Sequence, residues 1–444
     1  MRSQILKYWN RIRSSFWFIP VIMSGGAVLL AYGSVALDAT MTNWFENNWD
    51  LTLTTGAEGA SAVLGTIAGS MITIAGVVFS MTLVALSLTT SQLGPRLLRN
   101  FMRDTTTQVV LGTFVATFLY CLLVLRTIRR AEESLFVPQL SVSLGVLLAV
   151  VSVGVLIYFI HHVSVSVQAN EIVAQVGEEL IKGIDRLFLD QHELETAEAS
   201  IDPPDDSFFE AFDRNAQPVA ATGDGYLQFI DKDTLISLAT EEDAVIRLEQ
   251  LPGHYVVAGR PLVLIWPGDR VSDKLERRVN LAFALGHERL PDQDIEFVVN
   301  QLVEIAVRAL SAGINDPFTA IVCIDRLRSG LCRLAQREIP SPYLYDQDNK
   351  LRVIASPCTF PAIMDAAFNQ IRQNSSAIPA ITIRLLEAIA TIARFTHRSE
   401  DRDAILRHAD MISRGADECL LEKEDRRVVV ERYQQVLSAL VGEP

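Results

Sequence analysis

A series of small and hydroxyl-bearing side chains runs through an apolar stretch at residues 61–91 that contains no charged residue. Its members recur at alternating steps of four and three residues, which places them on one face of a helix; they are Thr66, Ser70, Thr73, Val77, Ser80, Val84, Ser87 and Ser91. When several such helices surround an axis, rings of uncharged hydroxyls can line a water-filled path, which suits a channel better than an ion-coupled transporter. The pore-lining candidates are Thr66, Ser70, Thr73, Ser80 and Ser87.

Three glycines form a second seam on the same stretch, and they support a different interpretation. Gly65 and Gly69 make a small-x-x-x-small pattern, which lets helix backbones approach closely, and Gly76 continues the seam. The hydroxyls can also bond to the carbonyls of their own helix. Tight helix packing therefore explains the pattern as well as a pore does, and both interpretations remain open.

Charged residues of opposite sign flank this stretch. Arg96, Arg99 and Arg103 follow it, and they are typical of a cytoplasmic loop in contact with lipid headgroups, or of a positive pore mouth that favours anions. The preceding loop is acidic and would favour cations. The two ends favour ions of opposite sign, so the sequence does not assign an ion selectivity. The acids are Asp38, Glu46, Asp50 and Glu58.

His161 and His162 end a later apolar stretch. Histidine titrates near neutral pH, so the pair is a candidate gate, although histidines at such positions more often simply lie at the membrane interface.

One cluster contains residue types that bind metals, namely His287, Glu288, Asp292 and Asp294. Its spacing matches neither the zinc-protease helix nor the calcium loop. We expect Asp292 to cap a helix, the other three to be surface charges, and no metal or other cofactor to be bound.

The phrase from Arg308 to Pro317 contains a helix break followed by a new helix start. Gly313 and Asn315 suit the turn, Asp316 suits the cap, and Pro317 suits the first helical position. A helix start preceded by glycine can also hold an anion, with Arg308 as a helper. The architectural interpretation explains every residue, and the anion site remains the alternative.

Four stretches are long and apolar enough to be the helices that position these residues in a bilayer: residues 16–37, 62–89, 107–125 and 140–161. Lysines and arginines are concentrated before the first span and after the second. The positive-inside rule then places both termini in the cytoplasm, with the chain in a bacterial inner membrane. The arginines near residues 126–130 oppose this orientation.

Composition separates the chain into two parts. The first 163 residues have a small positive net charge, so the remainder accounts for the whole formal net charge of −14. Such acidity argues against nucleic-acid binding. The 5 cysteines show no paired spacing that would predict a disulfide framework or zinc site. No catalytic motif is present, so we predict that the protein is not an enzyme.

The predicted fold is an α-helical membrane domain with four transmembrane helices, joined to a cytoplasmic α+β domain. Residues 1–163 form the membrane domain, residues 164–218 a helical stalk and linker, and residues 271–444 a mostly helical domain. Residues 219–270 contain the strands of a small β-barrel or β-sandwich. The phrase PGHYVVAGRPLVLI in this module resembles the turn and strand of biotinyl/lipoyl-type barrels, but it lacks their swinging-arm lysine.

Two further phrases carry a wider resemblance. SMTLVALSLTTSQLGPR, which ends the second span, and RALSAGINDPFTA together resemble a family of bacterial membrane proteins catalogued as a domain of unknown function. The resemblance covers nearly the whole chain. It implies an inner-membrane protein with this layout and brings no activity with it.

The sequence therefore predicts a homo-oligomeric inner-membrane protein that acts as a channel-like pore for ions or small solutes. The second span would line the path, and the cytoplasmic domain would assemble or gate it. The alternative is a non-conducting scaffold or sensor whose cytoplasmic domain binds a partner or ligand.

Overall fold

The computed structural model describes residues 17–48, 56–94, 104–128, 137–166, 168–188 and 203–442. The chain divides between Gln168 and Ala169 into two compact units. The described residues up to Gln168 form the membrane unit, and those from Ala169 onward form the carboxyl-terminal unit.

The membrane unit consists of helices α1 (Phe18–Asn48), α2 (Ala57–Leu93), α3 (Thr105–Thr127) and α4 (Gln139–Ser166). Each contains an apolar segment long enough to cross a membrane, with mean hydropathy from 1.8 to 2.6. The four predicted spans are therefore confirmed as helices of suitable length and composition.

Helix α3 is the centre of the membrane unit and packs against the other three helices. Phe114, Tyr120 and Val124 of α3 are fully buried. Gly112 of α3 permits close approach of α1, because a Cβ atom there would lie 3.3 Å from the Cα atom of Pro20. In α2, the buried side chains Leu64, Met71 and Val78 recur at helical spacing, so one face of α2 packs within the unit.

The carboxyl-terminal unit begins with helix α5 (Ala169–Leu187). After residues 203–205 the elements follow in this order: α6 (Asp206–Asn215), β1 (Gln217–Ala220), β2 (Gly225–Ile230), α7 (Lys232–Glu241), β3 (Val245–Leu248), β4 (Tyr255–Val256), β5 (Pro261–Trp266), α8 (Asp273–Leu281) and β6 (Phe283–Gly286). The remaining elements are α9 (Ile295–Ala309), α10 (Pro317–Ala335), β7 (Tyr343–Tyr345), β8 (Leu351–Ile354), α11 (Phe360–Ser375), α12 (Pro379–Ala393), α13 (Ser399–Cys419) and α14 (Lys423–Val441).

The strands form two small open sheets. One has the order β1-β5-β3-β8-β7 and the other the order β4-β2-β6. Neither sheet closes, so the barrel or sandwich expected for residues 219–270 is not seen. Strand β3 explains why: Ile246 pairs with Ile265 of the neighbouring β5 on one side, and with Val353 of the distant β8 on the other. The larger sheet is therefore mixed and recruits strands from outside the predicted module.

Helices dominate the rest of this unit, as predicted. Leu327, Phe368 and Ile389 come from three different helices and are fully buried. Helix α5 packs against α9 and α10, so the predicted stalk helix contributes to this core. Asp316 caps α10 by accepting a hydrogen bond from the backbone N–H of Thr319, and Pro317 occupies the first helical position, as the sequence predicts.

Candidate functional site

The hydroxyl face of α2 points away from the other described helices of the membrane unit. All five pore-lining candidates are exposed, whereas a buried face lies roughly half a helical turn away. The exposed candidates are Thr66, Ser70, Thr73, Ser80 and Ser87, and the buried face contains Leu64, Ala68, Met71, Ala75 and Val78. Larger apolar side chains lie beside the hydroxyl face. Ile72, Phe79 and Leu83 are exposed on one side of it. The hydroxyl face is therefore open to contact with a second helix, water or lipid.

Three hydroxyls of this face bond within their own helix. Thr66 donates to the carbonyl oxygen of Ala62 at 2.7 Å, Ser70 to that of Thr66 at 2.8 Å, and Thr73 to that of Gly69 at 2.8 Å. Each hydroxyl hydrogen is satisfied locally, while the oxygen can still accept a bond. The face is therefore compatible with a dry interface as well as with a wet path.

The glycine seam makes no close contact with the residues that the structure describes. A Cβ atom added at Gly65, Gly69 or Gly76 would meet nothing within 4 Å. The close packing inside the membrane unit occurs at other glycines, since a Cβ atom at Gly145 would lie 2.9 Å from the Leu64 side chain. Packing through the predicted seam therefore does not involve the part of the chain that the structure describes.

A buried polar network joins three helices at one end of the membrane unit. Asp38 of α1 accepts hydrogen bonds from the backbone N–H groups of Leu140 and Ser141, at 3.0 Å and 2.9 Å, and thereby caps α4. The Tyr120 hydroxyl donates to the Ser141 carbonyl oxygen and lies 3.0 Å from the Ser34 hydroxyl. Asp38 is only 7% exposed, so it acts here as a structural acid.

A second polar pair lies where α3 begins and α4 ends. Nε2 of His162 lies 3.0 Å from a carboxylate oxygen of Asp104, which also caps α3 through Thr106 and Thr107. Burial raises the pKa of Asp104, but hydrogen bonds from Thr107 and His162 outweigh this effect and hold that pKa below its ordinary value. His161 is exposed. The two predicted gating histidines therefore occupy different environments.

The loop before α10 is a compact exposed joint. Asn315 adopts a left-handed backbone conformation with φ 50°, and its N–H donates to the Ser311 carbonyl oxygen. Gly313 is exposed, and Arg308 lies half-buried in the last turn of α9. Hydrogen bonds from the Thr319 hydroxyl and N–H to Asp316 lower the pKa of that carboxyl. These contacts are those of the predicted helix–turn–helix joint.

The acids near residue 290 do not gather around one point. Asp294, not Asp292, caps α9 through the Phe297 N–H, and it is held by Arg289 at 2.7 Å. The expected cap at Asp292 is therefore wrong, because the helix begins two residues later than its apolar pattern suggests. Among the residues that the structure describes, no group of three or more His, Cys, Asp or Glu side chains is placed to hold a metal ion.

Some predicted residues lie outside the described part of the chain. They are Asp50 and the three arginines of the proposed cytoplasmic mouth, Arg96, Arg99 and Arg103.

Comparison with known proteins agrees with membrane-spanning helices in this chain. The family model described as "Predicted membrane protein (DUF2254)" matches residues 13–391. The chain belongs to this family. No solved structure matches the chain.

Similar members of this DUF2254 family occur in mycobacteria. The chain is 30% identical over 439 residues to an uncharacterized protein of Mycobacterium tuberculosis and to one of Mycobacterium bovis. Each alignment covers 97% of this chain and 81% of the relative. The names of these relatives give no activity.

Sequence reasoning missed the Asp38 network. We interpreted Asp38 as one of several loop acids, whereas it caps a helix that begins 101 residues later. A signal was present, because residues 137–139 at the start of α4 are Val-Pro-Gln and offer no side chain of the preferred N-cap types. The free N–H groups of such an uncapped helix start within a membrane protein require a hydrogen-bond acceptor from elsewhere.

Proposed function

We propose that this protein is a homo-oligomeric channel of the bacterial inner membrane, with both termini in the cytoplasm. It would conduct ions or small solutes along a path lined by α2. The observation that carries this proposal is the outward direction of the hydroxyl face. A helix that faces only lipid gains from large apolar side chains, yet α2 presents Thr66, Thr73 and Ser80 on the side opposite its buried face.

The carboxyl-terminal unit would assemble or gate the channel, and the proposal gives the protein no catalytic role. The path would be uncharged at depth, because residues 61–91 contain no acidic or basic side chain. An uncharged path offers no group that could couple flux to a proton or sodium gradient. We therefore expect passive flux down a gradient.

A second candidate function is a non-conducting scaffold or sensor. It is favoured by the hydrogen bonds of Thr66, Ser70 and Thr73 to their own helix, because satisfied hydroxyls can pack in a dry interface between copies. The same face would then hold two copies together without enclosing water, and the carboxyl-terminal unit would bind a partner or ligand.

One experiment separates the two candidates. The full chain is purified, placed in lipid nanodiscs and imaged by electron microscopy, and ion flux is measured in vesicles made from the same preparation. A ring with Thr66, Thr73 and Ser80 around a central opening, together with flux, supports the channel. A dimer with this face buried and no flux supports the scaffold and rejects the channel.

A further inference from the structure

A groove runs between α1 and α3 on the surface of the membrane unit. The two helices run in the same direction, because Gly112 of α3 lies against Pro20 of α1 and, further along both helices, the Tyr120 hydroxyl lies 3.0 Å from the Ser34 hydroxyl. Near the end of α3 the helices leave an open groove of about 600 Å³. The groove is lined by Ala31, Tyr32, Val35 and Ala39 of α1 and by Leu123, Arg126 and Thr127 of α3.

The α1 side of the groove has the shape of a shallow channel. Ala31, Val35 and Ala39 recur every four residues, so small apolar side chains follow one row along about 12 Å of helix. All the lining residues fall within the two apolar spans, which are Phe18–Thr40 and Thr105–Thr127. In a bilayer this row therefore faces hydrocarbon chains rather than water.

One charged residue lies at the end of this groove. Arg126 is exposed in the last turn of α3, where its charge complements the helix dipole. It is the only lysine or arginine among the described residues of the membrane unit. The apolar span of α3 has 23 residues and a length of about 35 Å, against a hydrocarbon core of about 30 Å. Arg126 therefore reaches the level of the lipid headgroups.

The guanidinium of Arg126 has no carboxylate partner in the part of the chain that the structure describes. Among the described residues of the membrane unit, the only ion pair joins Asp104 and His162. Asp38 instead accepts its hydrogen bonds from Leu140 and Ser141. A guanidinium presents a planar fork of N–H donors that matches a phosphate group. At the edge of a bilayer, lipid phosphates are the groups of opposite charge.

We propose that this groove binds one anionic phospholipid, with its phosphate at Arg126 and an acyl chain along Ala31, Val35 and Ala39. An ammonium group in the headgroup would be repelled by Arg126, so phosphatidylglycerol suits the site better than phosphatidylcholine. The other groove of α1, which it forms with α4, is lined by no charged residue and has no group that could select a phosphate. The lipid site does not depend on conduction along α2.

The test measures lipid binding to the full chain, purified in detergent and freed of bound lipid. Dioleoyl phosphatidylglycerol is added at increasing concentrations, and native mass spectrometry measures the fraction of chains that carry it. Parallel samples receive dioleoyl phosphatidylcholine, which tests the charge of the headgroup. Others receive glycerol 3-phosphate, which tests whether a phosphate without acyl chains is sufficient.

Two variants test the two halves of the site. Arg126→Gln removes the charge, and Ala39→Trp fills the groove at an exposed position. The matched control is Leu37→Trp, which places the same side chain on α1 at a residue that lines the uncharged groove. We expect phosphatidylglycerol to bind to the control as it does to the unmodified protein. We expect it to bind about tenfold more weakly to Arg126→Gln, which lacks the charge-assisted hydrogen bonds, and to Ala39→Trp.

Several results would overturn the proposal. They are equal binding of phosphatidylglycerol to the unmodified protein and all three variants, equal binding of the two phospholipids to the unmodified protein, and binding of glycerol 3-phosphate as tight as that of the lipid. If Ala39→Trp dissociates an oligomer while Arg126→Gln still binds phosphatidylglycerol normally, the groove is a contact between copies and the proposal is wrong. Arg126→Lys, which keeps the charge without the planar fork, replaces Arg126→Gln if that variant does not fold, and it too should bind the lipid more weakly than the unmodified protein.

Discussion

The carboxylate of Asp38 accepts hydrogen bonds from both the backbone N–H and the hydroxyl of Ser141, at 2.9 Å and 2.6 Å. The two residues belong to the first and fourth membrane helices. Because the start of the fourth helix has no cap of its own, an acid from another helix satisfies its free N–H groups. This bond therefore joins the two outermost spans in the sequence at one end of the membrane unit.

Replacing this acid is expected to destabilise the membrane unit. Asp38→Ala leaves the N–H groups of Leu140 and Ser141 without their acceptor, which costs about 1–3 kcal/mol. Thermal unfolding of the purified protein in detergent measures the change. Ser143→Ala is the control, since that exposed hydroxyl bonds only to Gln139 of its own helix. Equal unfolding temperatures for the two variants would contradict the capping role.

Gly112 is expected to tolerate no larger residue. A Cβ atom there would lie 3.3 Å from the Pro20 backbone and 2.5 Å from the Met23 sulfur, so α1 and α3 would have to separate. Gly112→Ala should therefore lower the free energy of unfolding by about 1–3 kcal/mol. The control is Gly69→Ala, because no described residue lies within 4 Å of a Cβ atom at that position. Alanine at position 69 should be neutral or slightly stabilising, and a loss there as large as at position 112 would contradict this view of the packing.

Gly69 also distinguishes folding from assembly. Gly69→Leu adds a large side chain to the exposed glycine seam of α2, where a Cβ atom meets no described residue within 4 Å. If copies pack through this face, the variant should unfold at the temperature of the unmodified protein but dissociate into smaller assemblies. Native mass spectrometry from detergent measures the assembly. An unchanged oligomer would show that this face lies outside the interface.

The hydroxyl face gives the sharpest test of conduction. Thr73→Leu and Ser80→Leu each place a large apolar side chain in the proposed path, and we expect flux into reconstituted vesicles to fall by about tenfold or more because dewetted constrictions block ions. Ser143→Leu is the control, since it makes the same kind of change on an exposed face of α4. If all three variants conduct like the unmodified protein, α2 does not line a pore.

Asp316 is expected to make part of the stability depend on pH. Its pKa in the folded protein lies below the ordinary value of 3.8, chiefly because Thr319 donates hydrogen bonds to the carboxylate. The contribution is therefore present above pH 3.8 and is lost as the pH falls through the lower folded value. Compared with the non-titrating variant Asp316→Asn, the protein should be more stable by up to about 1 kcal/mol at pH 7. Unfolding curves at pH 7 and pH 3 measure this, and a difference that stays constant with pH would refute it.

Local features of the fold could be predicted from the sequence because their causes are local. The cap and proline at Asp316 and Pro317 fall where predicted. The sheets could not be predicted in the same way. Strand β3 pairs with a strand about a hundred residues away, and no local pattern encodes that partner.

The sequence by itself determined the four apolar spans, the acidic and largely helical remainder, and the presence of one small, hydroxyl-rich helix face. Only the tertiary structure decided where that face points. Helix α2 has two faces that could pack, and burial of Leu64, Met71 and Val78 against its neighbours turned Thr66, Thr73 and Ser80 outward. The physical reason is that helix periodicity defines the faces of a helix, whereas packing against the larger apolar side chains selects which face is buried.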